Sequence, residues 1–473
     1  MSKRRKFSLE KNSRYTYAIP FVFVIFIMVI FQLHNLYQTN NAYYILSTLV
    51  QSEAAILAIV ITLSLVAVQL TASYYSPRVT QVFKNAPDLW VLVFLYIATM
   101  TFSLALLKIV NNCPTSNFES YISLSYFLGV FCFTSLIPYI YRLFYLLKPK
   151  TIIKKLSEKI NIDNLVEKES QPDKKDSFGE EEIQPEENDE EDPLQPIVDI
   201  VRSSMVKYDS ETFKYGLRTI RAKICNILKK KDIKKSEAEI ISKKVYEKLH
   251  EIGRLAVGRE DEYSVMEIIT VIKEIGKAPI MVESEGMEPK DFEKVISEAS
   301  SRIGFIGKAA TEKGLVKSSH WAVMALGELG KISASKILNT AVENTLNYYW
   351  KIGKMIVEEG EKATFGKLSI LGTLREIGMV TVKNGMENEA KNILKYLDKF
   401  VEIAITRMEK QDLENVLKEI MDFLMDLLKE PAVKNLKKLE STASKNLSET
   451  LRIVRDKKLD VDISDAERLL DQF

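Results

Sequence analysis

Residues 54–70 read AAILAIVITLSLVAVQL, a run without a single charge. A bilayer's hydrocarbon core is about 30 Å thick and takes about 20 apolar residues in a helix. Only a helix or a closed barrel satisfies its backbone polar groups there. Comparable apolar runs cover 18–37, 89–110 and 121–147. Four membrane-crossing helices are therefore expected, and a secretory signal is not: the first run is too long and no small-residue cleavage site follows it.

Basic residues flank only one side of these runs. Lys3, Arg4, Arg5, Lys6, Lys11 and Arg14 precede the first, Arg78 and Lys84 sit between the second and third, and Arg142, Lys148, Lys150, Lys154 and Lys155 close the fourth. The loops 38–51 and 111–120 have no Lys or Arg. The excess of cations on the cytoplasmic side of spans places both termini in the cytoplasm, in the cell membrane. Tyr15, Tyr17 and Trp90 fit an inner aromatic belt, and Tyr37, Tyr43, Tyr44 and Tyr121 an outer one.

The chain has 473 residues and a formal net charge of +2. A near-neutral balance argues against nucleic acid as a partner. Cys113, Cys132 and Cys225 fall in an outer loop, a span and the polar half, too scattered for a disulfide framework or a zinc cluster.

Residues 167–196 hold mostly Glu, Asp, Lys and Pro, with the run Glu186, Glu187, Asn188, Asp189, Glu190, Glu191, Asp192. Such composition buries too little apolar surface to fold and reads as a linker. Beyond it no strand-like alternation occurs. Apolar residues recur at helical spacing instead: Val265, Ile268, Ile269, Ile272, Ile275; then Leu368, Leu371, Leu374, Ile377; then Leu413, Leu417, Ile420, Leu424, Leu427. Ser464 and Glu467 predict a capping box on the last helix.

A weak repeat runs through this half: Ile252-Gly253-Arg254, Ile275-Gly276-Lys277, Ile306-Gly307-Lys308, Leu329-Gly330-Lys331, Ile352-Gly353-Lys354 and Ile377-Gly378. Glycine inside a helix costs up to about 1 kcal/mol relative to Ala. Its recurrence predicts close approach of neighbouring helices in an α-solenoid-like stack with units of HEAT length. The fold class read from the chain is all-α: a basic N-terminus over 1–17, a four-helix membrane region over 18–147, a basic then acidic linker over 148–196, and a helical-repeat domain over 197–473.

The second span and its exit carry Gln69, Leu70, Ser73, Ser76, Pro77 and Arg78. This Gln-Leu-x-x-Ser-x-x-Ser-Pro-Arg segment resembles the hallmark of a family of prokaryotic predicted membrane proteins known only as a domain of unknown function. The resemblance covers residues 51–110. The C-terminal half departs from bacterial members and looks more like archaeal ones. The resemblance implies a multi-pass membrane protein and no activity.

Gln51, Ala55, Ala58, Thr62, Gln69, Ala72 and Ser76 fall near one face of the second span, flanked by Ser64, Ala67 and Thr71. Polar groups at membrane depth cost energy unless they meet a partner or water, so this face should point inward. Two arrangements satisfy that: a helix–helix seam glued by small and hydroxylated residues, or the wall of a conduit formed where several subunits meet. In the second, Glu53, Thr62, Gln69 and Ser73 line the path, and Glu53 supplies an acidic ring of the kind that favours cations. Pro77 should end the span near Ser76. Pro138 breaks a backbone bond in the fourth run, where Ser135 offers compensation. Gly129, Cys132 and Ser135 form a small-residue stripe for packing.

Catalysis has little support. His34, His250 and His320 stand apart, and no His-Glu-x-x-His, Gly-x-Ser-x-Gly or Cys-x-x-Cys motif is present. The stretch 327–331 lacks the spacing of a phosphate loop, and Ile332 stands where Ser or Thr is needed. Asp460, Asp462, Ser464 and Asp471 mimic a calcium loop, but Asp465 takes its glycine position. No cofactor is expected. The partners expected are membrane lipids, further copies of the chain and a cytosolic protein. The reading is an oligomeric channel-like protein with a helical gating or assembly domain, against a membrane-anchored scaffold or sensor.

Overall fold

The structure is a computed structural model that describes residues 42–80, 87–109, 118–166, 192–230, 233–281, 288–358 and 364–472. The first apolar run, His34, Cys113 and the acidic run 186–191 lie outside the described residues. Packing divides the chain into two units, Met1–Leu156 and Ser157–Phe473. All elements described are helical.

The first unit contains α1 (Ala42–Tyr74), α2 (Pro87–Ile109) and α3 (Phe118–Leu146). Among the described residues three helices are long and apolar enough to cross a membrane, over Tyr43–Tyr74, Leu89–Ile109 and Ser120–Leu146. Leu46, near the start of α1, packs with Leu106 at the end of α2 and Ile122 at the start of α3. Further along, Val60 and Ala67 meet Leu92, Tyr96, Cys132, Tyr139 and Leu143. The three helices therefore run in alternating directions. Ile59, Phe94 and Ile137 point outward, as lipid-facing side chains should. The span ends at Tyr74 because Pro77 opens a short 3-10 turn, Pro77–Thr80, and Ser76 caps it through its carbonyl to Val79 N. Ser135 donates to the Cys132 carbonyl at 2.8 Å. It does not reach the Thr134 carbonyl that Pro138 leaves without its usual i+4 donor.

After α4 (Pro149–Glu158) and α5 (Ile162–Val166), two short helices in the stretch expected to be linker, the second unit is a two-layer stack. One layer holds α7 (Ser210–Leu228), α9 (Glu262–Lys277), α11 (Val316–Ser335), α13 (Thr364–Lys383) and α15 (Lys410–Lys429). The other holds α8 (Lys235–Gly258), α10 (Glu293–Glu312), α12 (Asn339–Glu358), α14 (Glu387–Arg407) and α16 (Lys437–Asp456). Each helix packs on the next but one within its layer. The helix α6 (Gln195–Val206) opens the stack, and α17 (Ser464–Leu470) packs on α16. Every member of the stripe Val265, Ile268, Ile269, Ile272 and Ile275 is fully buried.

The glycines do what their recurrence predicts at five of six places. A Cβ on Gly253, Gly276, Gly307, Gly330 or Gly378 would stand under 3.0 Å from a side-chain atom of another helix. Gly353 is the exception, with Ile370 at an ordinary 3.5 Å. One local expectation fails. Ser464 does not cap α17: its hydroxyl donates to Asp462 at 2.7 Å, Glu467 pairs with Arg455, and Ile463 takes the cap position without a side-chain bond.

Candidate functional site

The polar residues of α1 separate onto two faces. Leu46, Leu49, Glu53, Val60, Ser64, Ala67 and Thr71 are buried, at the three-, four- and seven-residue steps that keep one helical face inward. The face expected inside, with Gln51, Ala55, Ala58, Thr62 and Gln69, is exposed instead, and so is Ser73. The flanking residues Ser64, Ala67 and Thr71 make the intramolecular seam. The reason is packing on two neighbours at once: α2 and α3 both sit on the Glu53–Ser64–Thr71 side.

Within that seam polar groups meet across helices. Ser64 and Tyr139 hydroxyls lie 2.6 Å apart, joining α1 to α3. Ser103 and Ser125 lie 2.6 Å apart, joining α2 to α3. The Tyr96 hydroxyl donates to the Cys132 carbonyl at 3.1 Å. Each such bond between membrane helices is worth about 0.6 kcal/mol on average.

Glu53 is different. Its side chain is fully buried, and among the described residues neither carboxylate oxygen has a hydrogen-bond partner. It rests against Gly129 of α3, where a Cβ would come within 3.0 Å of Oε1 and 2.4 Å of Leu49 Cδ1. The absence of a side chain at position 129 thus makes the space the carboxylate occupies. Thr99 stands beside it, but its hydroxyl is committed to the Leu95 and Tyr96 carbonyls at 3.1 and 3.0 Å. Cys132 Sγ lies 3.5 Å from Thr99 Oγ1. The group expected to ring an outer mouth is therefore buried among the helices of its own chain. The small-residue stripe Gly129, Cys132, Ser135 was the sequence signal for its surroundings. Tyr96 and Thr99 carried no such signal, because an isolated hydroxyl in an apolar run reads the same on any face.

The exposed face of α1 has its own chemistry. Thr62 returns its hydroxyl to the Ala58 carbonyl at 2.8 Å, and Ser73 to Leu70 at 3.1 Å. Gln69 makes no hydrogen bond among the described residues. The other motif residues, Ser76, Pro77 and Arg78, form the turn that ends the span, with Arg78 N donating to Ser76 Oγ at 3.3 Å.

No curated protein matches the chain. A solved structure described as a circular tandem repeat protein with novel repeat topology and enhanced subunit contact surfaces is 12% identical, covers 92% of this chain and 94% of its own, and superposes with a TM-score of 0.34. Residues 15–203 match the family described as a predicted membrane protein (DUF2254), so the stretch that carries α1 to α3 is similar to an uncharacterised membrane-protein family.

Proposed function

We propose that the protein is an oligomeric, channel-like membrane protein whose subunits meet along the Ala55–Ala58–Thr62–Gln69 face of α1, with the helical stack as its assembly or gating module. The observation that carries this reading is the outward placement of Gln69 and Thr62. An amide with no bond among the described residues is costly on the outer face of a span against lipid, and the neighbouring Ala55 and Ala58 leave room for close approach of a second copy. A symmetric axis beside this face gives that amide water or its counterpart in the next copy. Glu53 supports the same reading from inside the subunit, since a carboxylate at membrane depth marks an ion or proton path. The helical stack belongs with HEAT-type repeats on this reading, and both termini lie in the cytoplasm of a cell-membrane protein.

The test is flux through the purified protein in liposomes. Wild type should pass cations above the level of empty liposomes. Gln69→Leu should lower the flux without changing the oligomer. No flux across voltage, pH and membrane tension would overturn the conduit and leave the membrane-anchored scaffold, for which the two-layer stack provides extended surfaces.

A further inference from the structure

The two layers of the helical stack treat their cations differently. In the α7–α15 layer, cations pair with the neighbouring helix along its whole length. Lys214 meets Glu267 at 3.5 Å, Lys273 and Lys277 both hold Glu328, Lys331 meets Glu376 at 2.9 Å, and Arg375 holds Asp426. In the other layer the ladder stops after α10. Among the described residues Lys308 and Lys354 pair with Glu312 and Glu358 on their own helices, at 3.5 and 3.6 Å. Lys395 and Lys399 have no carboxylate within ion-pair reach among the described residues.

These side chains, with Lys351, line a groove of about 580 Å³ across α10, α12 and α14. Of its five lysines, Lys308 and Lys354 are paired with Glu312 and Glu358, and Lys351, Lys395 and Lys399 have no carboxylate within ion-pair reach among the described residues. On the same wall Trp350 and Tyr396 stack, with ring centroids 5.3 Å apart and planes 16° apart. Both rings are half-buried, so each is fixed and keeps part of its surface open. Asn347 and Asn392 add amide groups to the lining.

Like charges repel one another, and an anion bound among the three unpaired lysines, Lys351, Lys395 and Lys399, relieves that repulsion. Lysine ammonium groups hold phosphate as point charges. A flat aromatic platform beside them takes the face of a nucleobase by stacking. We infer that this groove binds a polyphosphate-bearing small anion of the nucleoside triphosphate class, phosphates on Lys351, Lys395 and Lys399, base against Trp350 and Tyr396. The site is independent of the conduit proposed above.

The experiment is calorimetric titration of the full-length protein in detergent with ATP, inorganic triphosphate and glycerol 3-phosphate, the last standing for a lipid headgroup. ATP should bind, with inorganic triphosphate weaker and glycerol 3-phosphate weakest. The triple variant Lys351→Gln, Lys395→Gln, Lys399→Gln should bind ATP and triphosphate at least tenfold more weakly with its melting curve unchanged, since all three side chains are exposed. Trp350→Leu should weaken ATP at least fivefold and leave triphosphate as it was. Equal ATP binding by wild type and the triple variant would overturn the site. Binding of glycerol 3-phosphate as tight as that of ATP would overturn the nucleotide in favour of a headgroup, and indifference of ATP to Trp350→Leu would remove the base platform.

Discussion

Ile306 fills the place where Gly253 has no side chain: a Cβ there would stand 2.6 Å from Ile306 Cδ1. Ile352 does the same over Gly307 at 2.6 Å, and Ile377 over Gly330 at 2.9 Å. Each of these isoleucines precedes the glycine of its own helix. One dipeptide is thus a knob for the helix two before it and a hole for the helix two after it. Gly253→Leu should force α8 and α10 apart and destabilise them by about 1–3 kcal/mol, the usual cost of overpacking. Hydrogen exchange of the α8 and α10 amides in the full-length protein reads this directly.

Gly372 has nothing within 4 Å of where a Cβ would lie. It sits inside α13, so Gly372→Ala should stabilise that helix by about 0.5–1 kcal/mol through helix propensity and a less free unfolded chain. Equal exchange rates for Gly253→Leu and Gly372→Ala would mean that packing geometry does not explain the glycines.

Six turns that end helices share one backbone form. Tyr208, Glu260, Gly314, Ile337, Gly385 and Lys458 all have φ between 51° and 70°, and the residue after each donates its N–H back five residues, as Leu338 N does to Ser333 O at 3.0 Å. Glycine is suited to this conformation, and a β-branched residue is the poorest fit. Ile337 is 54% exposed, so it loses little burial if replaced. Ile337→Gly should stabilise the α11–α12 hairpin by about 1 kcal/mol, measured by the same exchange experiment.

Glu53 is a buried acid without a bonded partner among the described residues. Replacing such a group by an apolar one of similar size is stabilising by about 1–4 kcal/mol when no compensation is lost. Glu53→Met should therefore raise resistance of α1 to α3 to denaturing detergent. Gly129→Ala should lower it, because the added Cβ meets Leu49 and Glu53. A fall in resistance for Glu53→Met would show that the carboxylate is held by an interaction that stabilises the unit.

Acid should loosen the second unit in two steps. Burial, with Arg302 and Arg254 nearby, lowers the His250 pKa below its ordinary value. The unfolded chain then binds a proton more readily than the folded one, so stability is full above about pH 6.5 and falls as pH drops below it. Burial alone would raise Glu328, but hydrogen bonds and charge from Lys273 and Lys277 hold it below the usual carboxylate range. Its contribution is present above the ordinary Glu value and is lost only at lower pH. His250→Phe should flatten the first step and leave the second. An unchanged first step would assign it elsewhere.

The sequence by itself determined the solvent and the secondary structure. Uncharged runs such as 54–70 state that the chain enters a bilayer, and the 3.6-residue spacing from Val265 to Ile275 states both helix and buried face, because hydrophobic transfer is a sum over residues. The repeat glycines announced close approach for the same reason: a missing side chain in a helix costs stability locally. Tertiary structure decided which face of α1 turns inward. Both of its faces carry small and polar residues; periodicity pointed to the Thr62–Gln69 face as the inward one, and contact with α2 and α3 together turned Ser64 and Thr71 inward instead. It also decided that Glu53 lies against Gly129, and that Lys351, Lys395 and Lys399 converge on one groove. Those are relations between helices far apart in the chain, set by which neighbours pack, and no local spacing encodes them.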